Sequence, residues 1–359
     1  MLLRDGDVDS ERIVVETMTD PSFHSNRRAF LKRSALVVVG GALLPYGSLS
    51  QKSATRQKKI ERAAFTMGSI VTITAYCDDE RLGNIAIDEA FHSMNEIDRL
   101  MSVFDERSQL SRVNREASRR EIVVDPMIID ILGTARSYSA MTAGAFDVTI
   151  EPLMELYGFR DDGTIHHFPT DMQIAGTLDS VGMKNVSIDV QRSTVSFKQK
   201  NTQLDLGGIA VGYAIDKAVE VLTKRGIESA IINHSGDIFA IGAPPDEDAW
   251  EVGIVDPLHP ESIITTTSIK DQALSTSGNY RNNIEADGKT IGHILDPHNA
   301  RSSSAMLGTT IIARTALEAD ALSTGSFVLG VEPTRELVSS SPGRKFIGVE
   351  RSGEVVVGW

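Results

Sequence analysis

The chain contains only one cysteine, Cys77, among its 359 residues. An internal disulfide bond and a cysteine-rich zinc site are therefore excluded. The chain also lacks a long apolar run, because its most hydrophobic tract covers only residues 35–44. A transmembrane helix needs roughly 20 apolar residues, so a protein with several membrane spans is excluded as well. Because 41% of the residues are hydrophobic, a sizeable folded core is expected.

Positive charge is scarce beyond the N-terminal region. The formal net charge is −13, yet residues 1–62 carry 11 lysines and arginines against 7 acidic residues. The rest of the chain carries 25 basic and 42 acidic residues, which gives it a charge of −17. A surface this acidic repels polyanions, and we therefore expect no nucleic-acid partner.

The N-terminal region has the features of an export signal. An arginine pair, Arg27-Arg28, precedes the apolar tract, and Pro45 and small polar residues follow it. This order is typical of a twin-arginine signal, and the alternative is a basic amphipathic leader or a weak membrane anchor. We predict a signal region at 1–50 whose cleavage leaves no stable membrane span, and hence a periplasmic location. A polar linker is predicted at 51–62 and one folded domain at 63–359.

Beyond residue 62 the chain mixes helical and extended patterns without regular alternation of the two. Helical patterns cover 85–101, 125–142, 212–225 and 316–329, and the second of these begins with a capping Asp125 followed by Pro126. Extended patterns cover 65–76, 186–188, 194–197, 230–233, 250–255 and 310–313. Because the strands do not alternate with helices as βαβ units, the predicted fold is α+β in a single large domain.

Paired glycines stand where an apolar segment meets a helix, in Leu204-Asp205-Leu206-Gly207-Gly208-Ile209-Ala210-Val211. Backbone amides at such a helix start bind anions, and the helix dipole supports them. The segment is not a P-loop, since no Gly-Lys-Ser/Thr follows. It is not a Rossmann fingerprint either, since Ile209 replaces the second glycine. The alternative is a purely structural corner.

A second turn, Ser275-Thr276-Ser277-Gly278, is rich in hydroxyls, and His293 and Asp296 follow it. Hydroxyls and amides in such a turn can bind phosphate or sugar oxygens. A histidine nearby titrates in the range that is useful for proton transfer. The alternative is an exposed turn with a histidine that caps a strand.

A carboxylate and a hydroxyl are spaced one helical turn apart in the last predicted helix. Asp320 and Thr324 are four residues apart and therefore lie on the same helix face. Such a pair can share one hard cation, and Mg²⁺ often takes only one or two protein carboxylates. In the alternative, Thr324 bonds back to the carbonyl of Asp320, whose carboxylate is solvated.

Small residues dominate the turn Thr142-Ala143-Gly144-Ala145-Phe146-Asp147. Their size permits the close approach of a planar ligand. A packing corner is the alternative.

These segments resemble, in the same order along the chain, the motifs of the ApbE family. The matching segments are Met67-Gly68-Ser69, Met101-Ser102-Val103-Phe104 with Ser111-Arg112-Val113-Asn114, Gly144–Asp147, Leu204–Ala210, Ile232–Ile238, Ser275–Gly278, His293–Pro297 and Ala319–Thr324. Each motif alone is unspecific, whereas eight in one order are hard to obtain by chance. The resemblance covers residues 63–345, which is nearly the whole predicted domain.

The resemblance implies an FAD:protein FMN transferase, a Mg²⁺-dependent enzyme with FAD as substrate. Such an enzyme cleaves the pyrophosphate of FAD, attaches FMN to a Ser or Thr hydroxyl of an exported acceptor protein, and releases AMP. The implied metal site comprises Asp320, Thr324 and a backbone carbonyl of Gly208 or Ala210. His293 is expected to act as general base, and Asp296 to orient its imidazole. The implied FAD contacts are Met67, Phe104, Ala145, Phe146, Asp147, Asp205, Gly208, Val211, Ser275, Thr276, Ser277 and Gly278.

Three positions depart from the usual family pattern. Val211 stands where a polar residue is common, Phe104 where tyrosine is common, and His234-Ser235 replace smaller residues in a glycine corner. We expect these changes to alter FAD affinity more than the reaction class. Two other functions stay open: a periplasmic FAD pyrophosphatase that yields FMN and AMP, and a non-catalytic FAD-binding protein.

Overall fold

An antiparallel sheet of eight strands forms the centre of the structure. The computed structural model describes residues 57–160, 168–280, 283–286 and 289–358. The predicted signal region at 1–50 therefore lies outside the described residues.

The strands of the described chain belong to this sheet and to three smaller ones. In chain order they are β1 (Lys58–Thr66), β2 (Ser69–Cys77), β3 (Ile122–Val123), β4 (Val186–Asp189), β5 (Thr194–Phe197), β6 (Ser229–His234), β7 (Asp237–Ile241), β8 (Trp250–Val255), β9 (Ile263–Ile269), β10 (Gln272–Ser277), β11 (Asn283–Ala286), β12 (Lys289–Gly292), β13 (Gly308–Ala313), β14 (Lys345–Val349) and β15 (Val355–Gly358). The large sheet has the order β1-β2-β6-β7-β10-β13-β14-β15. The smaller sheets are β3-β5-β4, β8-β9 and β11-β12.

Helices cover one face of the large sheet. The helices of the described chain are α1 (Glu80–Met101), α2 (Gln109–Glu116), α3 (Pro126–Met141), α4 (Glu151–Leu156), α5 (Asp171–Leu178), α6 (Ala210–Lys224), α7 (Ala316–Leu329) and α8 (Val331–Ser339). The main apolar core lies between the sheet and α1, α6 and α7, while the β8-β9 hairpin packs on the opposite face. The predicted α+β class is confirmed.

Local sequence signals explain where the helices start. Asp125 caps α3 as predicted, because its side chain accepts a hydrogen bond of 2.9 Å from the Met127 N–H. Asp79 caps α1 in the same way, so that helix begins five residues before its apolar pattern does. Helix α6 begins at Ala210, two residues earlier than predicted.

Two predictions for the start of the domain are wrong. Residues 58–62, assigned to the linker, belong to β1, where Arg62 donates hydrogen bonds to Asn84 and Asp88 of α1. The single strand predicted over 65–76 is a hairpin, because β1 and β2 meet at a turn formed by Met67 and Gly68. The linker prediction relied on polar composition, but an edge strand exposes alternate residues to solvent and tolerates polar ones.

None of the helices in the described part of the chain combines the length and the apolar character needed to cross a bilayer.

Candidate active site

Helices α6 and α7 cap each other at their N-terminal ends. Asp320 of α7 accepts a hydrogen bond of 3.0 Å from the Gly212 N–H in the first turn of α6. Asp216 of α6 accepts hydrogen bonds of 2.7 and 3.0 Å from the N–H groups of Ala316 and Leu317 in the first turn of α7. Each carboxylate therefore satisfies amides that a helix leaves unpaired. This reciprocal capping fixes the position of Asp320 relative to the glycine turn before α6.

Gly212 permits the close contact between these two helices. A Cβ atom at this position would lie 2.3 Å from the carbonyl oxygen and 2.6 Å from the carbonyl carbon of Ala316. Neither is an atom of a flexible side chain, so a larger residue would have to push the helices apart. Gly212 is therefore required by close approach and not by its dihedral angles.

The Asp320 carboxylate is buried and electrostatically disfavoured. The residue is 5% exposed, so the alternative of a solvated carboxylate is wrong. Burial raises the pKa of Asp320 well above its usual range, and the negative charges of Asp237 and Asp216 raise it further. The hydrogen bond from the Gly212 N–H lowers the pKa of Asp320, but it does not offset these effects. A buried carboxylate without a cationic partner is expected to attract a cation or a proton.

The Thr324 hydroxyl belongs to a group of side-chain hydroxyls between α7 and β10. It lies 3.3 Å from the Ser277 hydroxyl, and the Ser323 hydroxyl lies 2.8 Å from Ser277 and 3.0 Å from Ser275. It is Ser323, and not Thr324, that bonds back to the Asp320 carbonyl, at 3.0 Å. The Thr324 hydroxyl is thereby oriented from the side of β10.

Gly208 places the glycine turn against Thr324. A Cβ at Gly208 would lie 3.1 Å from the Thr324 hydroxyl oxygen and 3.5 Å from the ring of Phe146. The predicted residues Gly208, Asp320 and Thr324 are thus brought together, and Ala210 follows as the first residue of α6. We call Gly208, Gly212, Asp320 and Thr324 the helix end of the site.

The helix end offers a sparse set of oxygen donors. In the described residues no group of three or more His, Cys, Asp and Glu side chains is arranged to hold a metal ion. The side-chain donors are the Asp320 carboxylate and the Thr324 hydroxyl, and the resemblance implies a backbone carbonyl of Gly208 or Ala210 as a third donor. Mg²⁺ accepts such a set, because it keeps several waters and takes further oxygens from phosphates. The residues therefore fit a Mg²⁺ ion that is shared with a phosphorylated ligand.

Thr276 does not join this hydroxyl group. Alternate residues of a strand point to opposite faces, and the Thr276 hydroxyl lies 2.8 Å from that of Thr310 on the neighbouring strand. Ser275 and Ser277 face α7, whereas Thr276 faces the β8-β9 side of the sheet. The sequence motif did not distinguish these two orientations.

The small-residue turn packs beneath the glycine turn. Ala145 and Phe146 are 2% and 3% exposed. The Asp147 carboxylate accepts hydrogen bonds from the N–H and hydroxyl of Thr149, the Ser139 hydroxyl and the Met183 N–H. These bonds show that Asp147 holds the turn in shape, and any ligand contact would have to use the turn's surface atoms.

An arginine that the sequence analysis missed connects two of the predicted FAD contacts. Arg160 donates a hydrogen bond of 2.6 Å to Asp205, and its guanidinium carbon lies 5.0 Å from the centre of the Phe104 ring. Arg160 also makes a bidentate ion pair with Glu151 at the start of α4. Asp205 in turn accepts a hydrogen bond of 2.8 Å from the Gly207 N–H. We call Phe104, Glu151, Arg160 and Asp205 the loop end of the site.

The imidazole held by Asp296 is that of His298. The Nδ1 atom of His298 lies 2.8 Å from Asp296, and its Nε2 atom lies 2.9 Å from the Ala143 carbonyl. The hydrogen bonds with Ala143 and Asp296 raise the pKa of His298. His293 is half-buried, and its predicted pairing with Asp296 stays a prediction.

The segment around His293 is tied to the hydroxyl-rich strand through Asn279. The Asn279 side chain accepts a hydrogen bond of 2.9 Å from the Ile294 N–H and donates one of 2.9 Å to the Ser303 carbonyl. Gly292 makes room for it, because a Cβ there would lie 2.0 Å from the Asn279 side chain. Gly278 and His293 are thereby kept near each other.

Met67, Val211 and the altered glycine corner are the remaining positions that the sequence analysis named. Met67 is half-buried in the β1-β2 turn, where its N–H donates a hydrogen bond of 3.1 Å to Asp98. Val211 is half-buried in the first turn of α6. The altered glycine corner is accommodated: His234 turns inward to bond the Thr66 carbonyl at 3.1 Å, and Ser235 adopts a φ of 55°.

Known proteins that are similar to this chain belong to the family whose motifs the sequence resembles. A family model described as "ApbE family" matches residues 67–347. The FAD:protein FMN transferase of Salmonella typhimurium is 33% identical over 246 residues, which is 67% of this chain and 70% of that protein. The enzyme of the same name from Klebsiella pneumoniae is 31% identical over 278 residues, 76% of this chain and 79% of that one.

Solved structures agree with the sequence comparison. The crystal structure of the ApbE protein from Thermotoga maritima has a TM-score of 0.76 and 30% identity, and the match covers 84% of this chain and 97% of that one. The flavin transferase ApbE from Vibrio cholerae has a TM-score of 0.74 and 25% identity with the same coverage. The resemblance found in the motifs is confirmed.

Proposed function

The chain belongs to the ApbE family of flavin transferases, and we propose that it transfers FMN from FAD to a Ser or Thr hydroxyl of an exported protein. The proposed reaction depends on Mg²⁺ and releases AMP. It is protein flavinylation, in which FAD is the substrate and the acceptor is another protein.

The observation that carries this proposal is the buried Asp320 carboxylate beside Thr324 and the paired-glycine turn. FAD contains a pyrophosphate with two negative charges, and an acidic protein needs a cation to bind it. Asp320, Thr324 and a backbone carbonyl of Gly208 or Ala210 would hold Mg²⁺, and the phosphates would complete the oxygen shell of the ion. When bound, Mg²⁺ supplies neutralisation of the charge that develops on the phosphate oxygens.

The protein's own residues would activate the acceptor. In the proposed step the acceptor oxygen forms a bond to the FMN phosphorus, the pyrophosphate bond breaks, and AMP leaves as an anion. His293 takes the proton of the acceptor hydroxyl, because a neutral hydroxyl is a weak nucleophile. A positioned base of this kind contributes about 100- to 10,000-fold.

The proposal is tested by in-gel fluorescence. The protein is incubated with FAD, Mg²⁺ and an acceptor domain that carries the target hydroxyl, and the mixture is separated by denaturing electrophoresis. Flavin fluorescence on the acceptor band supports the transferase. Release of free FMN and AMP without a labelled acceptor would instead identify a pyrophosphatase, and FAD that stays intact would identify a non-catalytic binding protein.

Two substitutions test the assigned roles. We expect Asp320→Ala to abolish AMP release and to remove Mg²⁺ binding measured by calorimetry. We expect His293→Ala to keep FAD binding and to lower turnover by about 100-fold or more. Unchanged AMP release in either variant would reject the corresponding role.

We further propose that the protein works in the periplasm after export through the twin-arginine signal. The support is the arginine pair ahead of the apolar tract at 35–44. Replacing Arg27 and Arg28 by lysine should leave the protein in the cytoplasmic fraction. Unchanged export of that variant would contradict the assignment.

A further inference from the structure

Arg160 connects three separate segments of the chain at the loop end. It follows α4, where its guanidinium meets Glu151. It donates a hydrogen bond to Asp205 in the segment before the glycine turn. It also lies over the ring of Phe104, which follows the C-terminal end of α1 in sequence. The side chain itself is only 17% exposed, so it acts from inside the structure.

The guanidinium balances two carboxylates that have little access to water. The side chains of Glu151 and Asp205 are 2% and 15% exposed. Burial raises the pKa of Glu151 to about 7 in spite of the hydrogen bonds from Arg160, and the charge of Asp205 adds to this effect. Burial alone would lower the pKa of Arg160, but the two carboxylates outweigh it and keep the guanidinium charged. Arginine suits this position because its planar fork binds two carboxylates at fixed angles.

Phe104 contrasts with the buried group beneath it. The residue is 69% exposed although it is a large apolar side chain. The guanidinium of Arg160 occupies one side of the ring at 5.0 Å, which is within the range of a cation–π interaction. The ring is therefore restrained from below while most of its surface remains open to a ligand.

We propose that Arg160 is a positioning residue for substrate binding: it orients the Phe104 ring and holds Asp205 against the Gly207 amide, so that a planar ring of the dinucleotide stacks on the open side of Phe104. The inference rests on the proposed function, because that function supplies the dinucleotide. Arg160 itself does not touch the ligand in this arrangement. It lowers the conformational entropy that Phe104 would lose when the ligand binds.

The test must separate this role from simple stabilisation. Arg160→Met alone would leave Glu151 buried without a partner, and such a change is strongly destabilising. We therefore compare Glu151→Gln with the double variant Glu151→Gln/Arg160→Met, which differ only at Arg160. Dissociation constants for FAD, FMN and AMP are measured by fluorescence and calorimetry, together with KM and kcat for FMN transfer.

We expect the double variant to bind FAD about tenfold more weakly than Glu151→Gln, because an ordered aromatic stack contributes about this much. KM for FAD should rise by a similar factor while kcat changes little. If only FMN binds more weakly to the double variant, the flavin is the stacked ring. If only AMP binds more weakly, the stacked ring is the adenine. Equal affinities of the two variants for FAD would overturn the inference.

A second buried arginine provides a matched control. The side chains of Arg344 and Glu318 are 9% and 14% exposed and form an ion pair of 2.7 Å that does not involve Phe104. Glu318→Gln/Arg344→Met should lower Tm relative to Glu318→Gln and leave FAD affinity unchanged. If it weakens FAD binding as much as the change at Arg160 does, general destabilisation explains the effect and the inference fails.

A double-mutant cycle shows whether Arg160 acts through the ring. In the Glu151→Gln background, Arg160→Met should weaken FAD binding when Phe104 is present and have little further effect in Phe104→Leu. Additive effects would overturn the inference, while FMN transfer by the wild-type protein would leave the proposed function intact. A wild-type protein that neither binds FAD nor transfers FMN would contradict both.

Discussion

The two ends of the candidate site reach a fixed geometry in different ways. At the helix end, Gly212 and Asp320 are placed by two helices in backbone contact. At the loop end, Phe104 and Asp205 are placed by one charged side chain, Arg160. Gly212 and Asp320 of the helix end are buried and depend on a close backbone contact, whereas Phe104 of the loop end is exposed and depends on a charged side chain beside it. The comparison indicates that rigid positioning is concentrated where a multivalent anion and its cation would bind.

The largest expected effect is at the helix contact. We expect Gly212→Ala to lower the free energy of unfolding by about 3 kcal/mol or more, because its Cβ would overlap the Ala316 carbonyl. Gly133 is the matched control: it is an exposed residue within α3, and a Cβ there meets no atom within 4 Å. Gly133→Ala should stabilise the protein by up to about 1 kcal/mol. Urea unfolding measures both, and similar values for the two variants would contradict the close contact.

The next effect concerns the charge at the helix end. Asp320→Asn removes an unpaired buried charge, so we expect the variant to be more stable than wild type without divalent cations. Mg²⁺ at 100 times its dissociation constant should stabilise wild type by about 2.7 kcal/mol and the variant not at all. Thermal unfolding with and without Mg²⁺ tests this. Asp216→Asn, which alters the opposite cap, should retain the Mg²⁺ response. A response that persists in Asp320→Asn would place the ion elsewhere, and its loss in both variants would mean that Mg²⁺ binding depends on the paired caps and not on Asp320 as a ligand.

A smaller effect is expected from the hydroxyl group. Ser277→Ala removes the hydrogen bonds to Ser323 and Thr324 and should lower the free energy of unfolding by about 1 kcal/mol. Thr276→Ala, on the other face of the strand, should have a similar cost. Only Ser277→Ala is expected to weaken Mg²⁺ binding, measured by calorimetry, because only Ser277 orients Thr324. Equal Mg²⁺ affinities in the two variants would remove Ser277 from the site.

The smallest effect is a pH dependence outside the helix end. The pKa of His298 is raised, so its protonated ring contributes stability fully below the unfolded pKa of about 6.5. That contribution is lost as the pH rises through the higher folded value, since a neutral ring can donate only one of its two bonds. Thermal unfolding from about pH 5.5 to about pH 8.5 should show wild type losing stability relative to His298→Asn. A difference that is constant with pH would refute the role of the charged ring.

The sequence was sufficient for much of the helix end. Asp320 and Thr324 are four residues apart in a strongly helical segment, and helical periodicity alone places them on one face. The glycine pair and the helix after it were visible for the same reason. Gly212 was also recognisable in principle, since a glycine in the first turn of a helix usually has a packing reason.

The loop end could not be predicted from local patterns. Asp205 is 45 residues from Arg160 in sequence, and their meeting depends on how α4 and the glycine turn pack. Glu151 is nine residues from Arg160, a distance at which no local spacing rule predicts an ion pair. The burial of Glu151 could not be predicted from its neighbours in sequence, because the chain contains many glutamates and most glutamates are exposed. The pairing of Asp296 with His298 was missed for a different reason: both neighbouring histidines were within reach, and spacing does not choose between them.

The contact between Gly212 and Ala316 has a consequence for motion during turnover. Helices that touch through their backbones cannot slide past each other without losing the amide bonds to Asp216 and Asp320. We therefore expect the amides of Gly212 and Ala316 to be among the slowest to exchange with solvent, whereas the segment that carries Phe104 exchanges quickly. Substrate entry and product release would then require movement of the loops, while α6 and α7 keep their relative position.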